Sequence, residues 1–367
     1  KLFEINNSVL LLTFILVSLV QISISFIRFK ISRLKISTKD NGPLSVIICA
    51  KNEEVNLKKN LEKVLNQDFK EFEVIVVDDQ STDSTNYLLN FLSKKYSNLK
   101  VVTLNKNVNS RIGKKFALSI GIKTAKFDNL VLTDADCIPC SRKWLSLISS
   151  GFDNHDIVLG YSNYKKESGL LNKLVRFDTY LIASSYFTAC QIGIPYMGVG
   201  RNLAYKKDLF FKNKGFANHI NLISGDDDLF IQEVASKENT TILLDSDSHT
   251  SSIAEKSWKD WFSQKRRHYS TASRYKLNTK LYLIIDPLST ILFYLIPIYH
   301  LSMNRRLDVI LLIFSMVFLI KSISNYKLMK KLKLLDLFYF TPFIEIFHLI
   351  LIQFLYMYST IRGKKSW

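Results

Sequence analysis

Apolar and polar positions divide the chain into three zones. Residues 5–27 carry no charge and are long enough to cross a bilayer as a helix. Residues 44–161 show short apolar runs alternating with amphipathic stretches, and beyond residue 281 long apolar runs return at 281–303, 307–320 and 334–361. Arg28, Lys30, Arg33 and Lys35 follow the first run, so the positive-inside bias places the middle zone in the cytoplasm. That run lacks the basic leader and the small-x-small site of a signal peptide, which predicts a retained anchor. Run 281–303 contains a single acid, Asp286. Run 307–320 is short, is flanked by Arg305, Arg306 and Lys321, and can span with snorkelling ends. Residues 321–333 hold five lysines and read as cytoplasmic. Run 334–361 is interrupted by Asp336, Pro342 and Glu345, and reads either as one span or as an interfacial piece followed by a span. A fourth crossing would set Arg362, Lys364 and Lys365 outside, against the same bias; an interfacial or re-entrant last segment resolves that conflict.

In the middle zone, apolar runs at 44–49, 73–77, 99–104, 130–133 and 157–159 predict strands. Amphipathic stretches at 55–65, 84–92, 114–124 and 142–149 predict helices between them. Such alternation implies βαβ units and a mostly parallel sheet. Neither a G-x-G-x-x-G dinucleotide fingerprint nor a Walker-type phosphate loop occurs. Polar clusters follow the strands instead. The first strand runs into Ala50-Lys51-Asn52-Glu53-Glu54, the second into Asp78-Asp79-Gln80-Ser81-Thr82-Asp83-Ser84, and the fourth into Asp134-Ala135-Asp136. Ligands of open α/β sheets bind outside the carboxyl ends of the strands. Three acidic clusters on that edge repel one another unless a cation or a polar ligand sits among them. Asp-x-Asp offers two hard oxygens to Mg²⁺ or Mn²⁺ that also holds phosphates. Asp83-Ser84 also reads as a helix N-cap.

The net charge of +18 fits either nucleic acid or an anionic membrane surface. The basic residues gather beside the apolar runs, which favours the membrane over nucleic acid. Four cysteines, Cys49, Cys137, Cys140 and Cys190, include one Cys-x-x-Cys with no second pair and no His couple nearby. That pattern argues against a zinc site and a disulfide scaffold, and fits a reducing compartment.

The stretches Ser45-Val46-Ile47-Ile48-Cys49-Ala50-Lys51-Asn52-Glu53-Glu54, Val76-Val77-Asp78-Asp79-Gln80-Ser81-Thr82-Asp83-Ser84-Thr85 and Thr133-Asp134-Ala135-Asp136 together resemble family 2 glycosyltransferases of the GT-A fold. The likeness runs over residues 44–270. It implies a nucleotide-sugar donor, inversion at a sugar carbon and a divalent metal, Mg²⁺ or Mn²⁺. By the match, Ala50, Glu53, Asp78 and Asp79 would face the donor nucleotide, Asp134 the ribose or diphosphate, and Asp136 the metal. Gly113-Lys114-Lys115-x-Ala117-Leu118 resembles the family's Gly-Lys-x-x-Ala-Leu stretch, where a lysine approaches the donor. Taken alone, Lys114 and Lys115 also read as the solvated start of a helix.

The next stretches resemble the family's acceptor half. Gly198-Val199-Gly200-Arg201-Asn202-Leu203-Ala204-Tyr205 is similar to its Gly-x-Asn-x-Ala-[FY] segment. In Ser224-Gly225-Asp226-Asp227-Asp228-Leu229, alignment on Leu229 makes Asp226 the general base, with Asp227 the close alternative. Crowded carboxylates raise one another's proton affinity, which suits a base. Residues 258–269 form an amphipathic stretch of Trp, Phe, Lys and Arg that suits the membrane interface. It also resembles the family's Gln-x-x-Arg-Trp motif. Gln264 and Arg267 match, Arg267 as the charge facing the leaving diphosphate, but His268 stands where the motif has Trp. That departure weighs against processive elongation.

The expected organisation is an anchor over 1–30, a linker over 31–43, a GT-A domain over 44–280 and a membrane region over 281–367. The domain divides into a donor half, 44–161, and an acceptor half with the interfacial helix, 162–280. The expected activity is single-sugar transfer from a nucleotide sugar to a membrane-associated lipid or glycan at the cytoplasmic face. A processive polysaccharide synthase is the rival within the class. A catalytically idle membrane scaffold is the rival outside it.

Overall fold

The structure is a computed structural model that describes residues 2–34, 39–104, 113–303 and 307–361. The basic residues Lys35, Arg305, Arg306, Arg362, Lys364 and Lys365 lie outside the described residues. In chain order the elements begin with helix α1 (Leu2–Ile31), strand β1 (Leu44–Ala50), α2 (Glu54–Leu65), β2 (Phe72–Asp78), α3 (Thr85–Lys95), β3 (Leu99–Thr103), α4 (Lys114–Thr124) and β4 (Asn129–Leu132). There follow β5 (Ile138–Pro139), α5 (Trp144–Gly151), β6 (Ile157–Leu159), β7 (Ser162–Tyr164), α6 (Leu170–Gln191), β8 (Leu203–Lys206), α7 (Lys207–Lys212) and α8 (Asp228–Val234). The last are β9 (Thr240–Ile242), β10 (Thr250–Ser252), α9 (Trp258–Tyr269), α10 (Leu277–Ser302), α11 (Leu307–Lys331) and α12 (Thr341–Ile361).

The main sheet has the order β3-β2-β1-β4-β8-β6-β9. Strands β3, β2, β1 and β4 are parallel neighbours, β8 is antiparallel to both β4 and β6, and β6 is parallel to β9. Only β8 therefore runs against the rest, and the expected mostly parallel sheet is present. Strand alternation supplies both faces. Val46, Ile48 and Ala50 of β1 and Val74 and Val76 of β2 pack with Leu57, Leu61 and Leu89 of α2 and α3. Ile47, Ile75 and Val77 pack instead with Ala117 and Leu118 of α4 and with α6. Register sets Ala50 beside Asp78 and Ile47 beside Leu132, so the polar residues that follow these strands share one edge.

Among the described residues, four helical stretches are long and apolar enough to cross a membrane: Ser8–Ile31, Leu277–Ser302, Leu307–Lys331 and Leu335–Leu355. Phe14 and Val17 of α1, Phe293 and Ile296 of α10, and Ile310 and Val317 of α11 form their shared core, while Leu12, Leu16, Leu312 and Leu319 point outward. The third helix is longer than its apolar run suggests. Lys321 is not a flanking, solvated lysine: it is 3% exposed and pairs with Glu345 at 2.9 Å. Three acids of the C-terminal apolar runs, Asp286, Asp336 and Glu345, have a cation partner. Asp286 meets Arg28 at 2.6 Å, Asp336 accepts both Arg176 guanidinium nitrogens at 2.8 and 2.7 Å, and Glu345 meets Lys321. Charges at such depth persist when paired.

Candidate active site

Two glycines introduce the charged residues of the site. Gly113 has φ +127° and Gly225 has φ +105°, a region that L side chains rarely adopt. The first places Lys114 at the start of α4, and the second turns the chain into Asp226. Lys114 Nζ donates to Asp134 Oδ1 at 2.8 Å and lies 3.2 Å from Asp226 Oδ2, joining the acids after β4 to those before α8. Burial opposes the charge on Lys114, but Asp134 and Asp226 hold it protonated well above the ordinary lysine range. Lys115 is buried rather than solvated. It donates to the carbonyl oxygens of His219 (2.6 Å) and Leu222 (3.1 Å), tying α4 to the loop that leads to Asp226.

The three consecutive aspartates separate completely. Burial opposes ionisation of Asp226, but Lys114 outweighs it and holds the carboxyl below its ordinary range. Asp227 is pushed up to about 7 by burial and by Asp226 and Asp228 on either side. Its Oδ2 accepts from Gly200 N (2.9 Å) and its Oδ1 from Asp228 N (2.8 Å), so it caps α8. Asp228 turns away and accepts from Thr271 Oγ1 and Tyr275 Oη. Crowding thus raises the proton affinity of Asp227, not of Asp226.

On the donor side, Ala135 O accepts from Asn60 Nδ2 of α2 at 3.1 Å, and Thr133 Oγ1 donates to Arg201 O at 3.0 Å. These bonds pin the turn that carries Asp134 and Asp136. Asp136 has its pKa raised by burial and by Asp134, and Cys137 Sγ donates to its Oδ1 at 3.4 Å. The described cysteines are free thiols. Asn202 explains the Gly-x-Asn segment as architecture. Its Nδ2 donates to Tyr161 O and Ser248 O at 2.8 Å each, and its Oδ1 accepts from Trp144 Nε1 at 3.0 Å.

One cleft of about 1620 Å³ is lined by Ala50, Glu53, Asp79, Lys114, Asp134, Asp136, Asp226, Asp227, Gln264 and Arg267. Among the residues expected to form the site, Asp78 alone is outside that lining. It is 1% exposed, with Oδ1 accepting from Ser81 N (3.1 Å) and Oδ2 from Asn86 Nδ2 (3.1 Å). Asp79 keeps a buried Oδ1 without a hydrogen-bond partner among the described residues, and burial raises its pKa. Glu53 also has its pKa raised by burial, with Asn56 Nδ2 donating to it at 2.7 Å. Helix α9 presents Gln264 and Arg267 to the cleft, and its buried Trp261 and Lys265 line the same cleft. Sequence reasoning missed Arg201, Tyr164 and Glu255, which also line the cleft. Arg201 lies 4.2 Å over the Tyr164 ring and donates to Ser252 Oγ at 3.0 Å. Glu255 Oε1 accepts from Gln264 at 3.5 Å.

Asp134 and Asp136 offer the hard oxygen donors that Mg²⁺ and Mn²⁺ prefer. Among the described residues no three metal-ligating side chains converge, so a cation here would share its shell with a bound ligand.

Residues 45–210 match the description "Glycosyl transferase family 2". Those residues form a glycosyl transferase family 2 domain. The dolichyl N-acetyl-alpha-D-glucosaminyl phosphate 3-beta-D-2,3-diacetamido-2,3-dideoxy-beta-D-glucuronosyltransferase of Methanococcus voltae is 29% identical over 46% of this chain and 50% of its own length. The GalNAc(5)-diNAcBac-PP-undecaprenol beta-1,3-glucosyltransferase of Campylobacter jejuni is 30% identical over 35% of this chain and 40% of its own. The match spans half or less of the length of each of the first curated relatives. The mannosyltransferase PcManGT of Pyrobaculum calidifontis, solved with GDP-Man and Mn²⁺, superposes with a TM-score of 0.54 at 16% identity, over 87% of this chain and 99% of that one. That likeness shows the GT-A fold.

Proposed function

We propose that the protein is an inverting glycosyltransferase. It moves one sugar from a nucleotide-sugar donor to a membrane-associated lipid or glycan at the cytoplasmic face. The observation that carries this reading is Lys114 Nζ, held between Asp134 of the Asp-x-Asp turn and Asp226 of the second half. One cation joins the acids that would face the donor to the acid that would serve the acceptor.

In the reaction, Asp226 takes the proton of the acceptor hydroxyl. The freed oxygen attacks the anomeric carbon from the face opposite the diphosphate. The sugar–phosphate bond breaks, the electron pair leaves with the nucleotide diphosphate, and the configuration inverts. Asp79 and Glu53 face the nucleotide, and Arg267 offsets charge on the leaving group. Arg201, which the resemblance did not include, is placed to do the same. Binding both substrates in one cleft supplies much of the rate. Asp136, with Asp134 beside it, would hold Mg²⁺ or Mn²⁺, which when bound neutralises diphosphate charge. Metal use by the solved mannosyltransferase supports this assignment. His268 in place of the motif's Trp supports single transfer over processive synthesis.

Lys114→Met removes the charge that keeps Asp226 ionised. A base acts only when unprotonated, so raising its pKa makes activity fall sooner on acidification. The acid limb of the kcat/KM profile is expected to move up by about one to three pH units. An unmoved limb separates Lys114 from the base.

The reading itself is tested by ligand-dependent thermal stabilisation across a panel of nucleotide sugars. At a hundred times Kd, one donor class with Mn²⁺ is expected to stabilise the fold by about 2.7 kcal/mol. Chelation with EDTA, or Asp136→Asn, is expected to remove most of it. Equal stabilisation without metal contradicts the role of Asp136.

A further inference from the structure

Pockets for a single drug-sized ligand measure about 300–1,000 Å³. This cleft measures about 1620 Å³, and its walls do not stop at the acids. They continue to Leu283 and Pro287 of α10, Leu349 and Ile352 of α12, and Thr179 and Ile182 of α6. Helices α10 and α12 contribute two of the candidate membrane spans. One cavity therefore joins Asp226 to an apolar wall built by candidate membrane spans.

Most charged side chains at that end are matched by an opposite charge, and Lys280, in the first turn of α10, donates to the carbonyl oxygen of Ser273 at 2.9 Å. Arg28 pairs with Asp286 at 2.6 Å, Asp178 lies between Lys265 and His348, and Glu345 pairs with Lys321 at 2.9 Å. An anionic headgroup calls for cations left open to it. What this end offers instead is two buried polar ring nitrogens. Trp261 Nε1 and His348 Nδ1 are buried and have no hydrogen-bond partner among the described residues, and both residues line the cavity.

We propose that this end binds the acceptor, and that the acceptor is an uncharged, hydroxyl-bearing membrane lipid. Its tails lie along α6, α10 and α12, and its hydroxyl reaches Asp226. The proposal rests on the glycosyltransferase reading and narrows its acceptor from any lipid or glycan to this class.

The test uses the full chain in phosphatidylcholine vesicles containing either photoactivatable diacylglycerol or phosphatidic acid with the same tails. Labelled peptides are mapped by mass spectrometry. Diacylglycerol is expected to label peptides of α6, α10 and α12. Ile182→Trp and Leu349→Trp, which fill the cavity, are each expected to cut that labelling about five-fold or more. Leu16→Trp, on the 56% exposed outer face of α1, is expected to leave it unchanged. Two results overturn the proposal: cavity labelling that both tryptophans leave unmoved, or stronger cavity labelling by phosphatidic acid. Metal-dependent binding of UDP and GDP is read in the same samples. If a nucleotide binds while the lipid result fails, only the acceptor class falls. If neither nucleotide binds, the glycosyltransferase reading falls with it.

Discussion

Asp226→Asn is expected to lower kcat for sugar transfer by about a thousand-fold or more while donor binding survives. A positioned general base contributes about 10²–10⁴ in rate. A thousand-fold loss is about 4 kcal/mol of transition-state stabilisation. Asparagine keeps the shape and an oxygen to accept from Lys114, 3.2 Å from the native Oδ2, so the fold around Gly225 is retained. It cannot take the acceptor proton. Asp227→Asn provides the comparison. Both native Asp227 oxygens accept backbone N–H bonds, from Gly200 and Asp228. An amide satisfies only one of the two, so that variant is expected to lose stability at the start of α8 and less of the chemical step. Single-turnover transfer, read beside nucleotide binding, separates the two roles. A larger chemical loss in Asp227→Asn than in Asp226→Asn would exchange the assignments.

Asp178→Leu is expected to destabilise the protein by about 3–5 kcal/mol, the usual result of stripping one partner from a buried ion pair. Asp178 sits on α6 and contacts Lys265 of α9, while His348 Nε2 of α12 lies 2.9 Å from its Oδ1. All three side chains are buried. Burial opposes the charge of Asp178, but Lys265 and then His348 outweigh it and hold the carboxyl at about 2. A carboxyl depressed in the folded state contributes stability above its unfolded value. The contribution is lost as pH falls from about 4 through about 2. The wild-type protein should therefore lose stability across that window, and the variant should lack this component. Lys265→Met in the Asp178→Leu background replaces both charges by apolar groups and is expected to restore much of the loss. Thermal unfolding in one detergent, across pH, reads all three proteins. A single variant within about 1 kcal/mol of wild type would mean that the pair does not hold α9. Because α9 presents Gln264 and Arg267 to the cleft, loosening it should also slow transfer.

These two residues mark what a sequence reader can and cannot see. Strands β1, β2, β3, β4 and β6 and helices α2 to α5 were legible because each shows its period over a local window. Strand β8 was not: Leu203-Ala204-Tyr205-Lys206 is four residues inside a stretch that reads as a loop, and its partners β4 and β6 lie far back in the chain. Helix α6 was also missed. Its Arg176 and Asp178 face partners, Asp336, Lys265 and His348, which come from later helices, so no polar face repeats along it. The same non-local pairing turned Lys321 and Glu345, read as a flank and an interruption, into one buried pair. Within the site, adjacent acids were visible but their directions were not. Asp78 and Asp79 part because one ends a strand facing Ser81 and Asn86 while the other faces the cleft. Asp226, Asp227 and Asp228 part because a glycine turn and a helix start rotate each to a different partner. Arg201 gave no signal beyond being a lone cation in an otherwise uncharged segment. Its position follows from two threonines, Thr133 and Thr250, whose hydroxyls both donate to its carbonyl oxygen.

The central claim is inverting transfer of one sugar, with Asp226 as base. The most direct measurement is the anomeric configuration of the product. The full chain in vesicles of membrane lipids is supplied with Mn²⁺ and α-linked nucleotide sugars, and the coupling constant of the product's anomeric proton is read by NMR. The expected result is a single β-linked sugar on the acceptor, absent with Asp226→Asn. An α-linked product, formed at an undiminished rate by Asp226→Asn, would contradict the account.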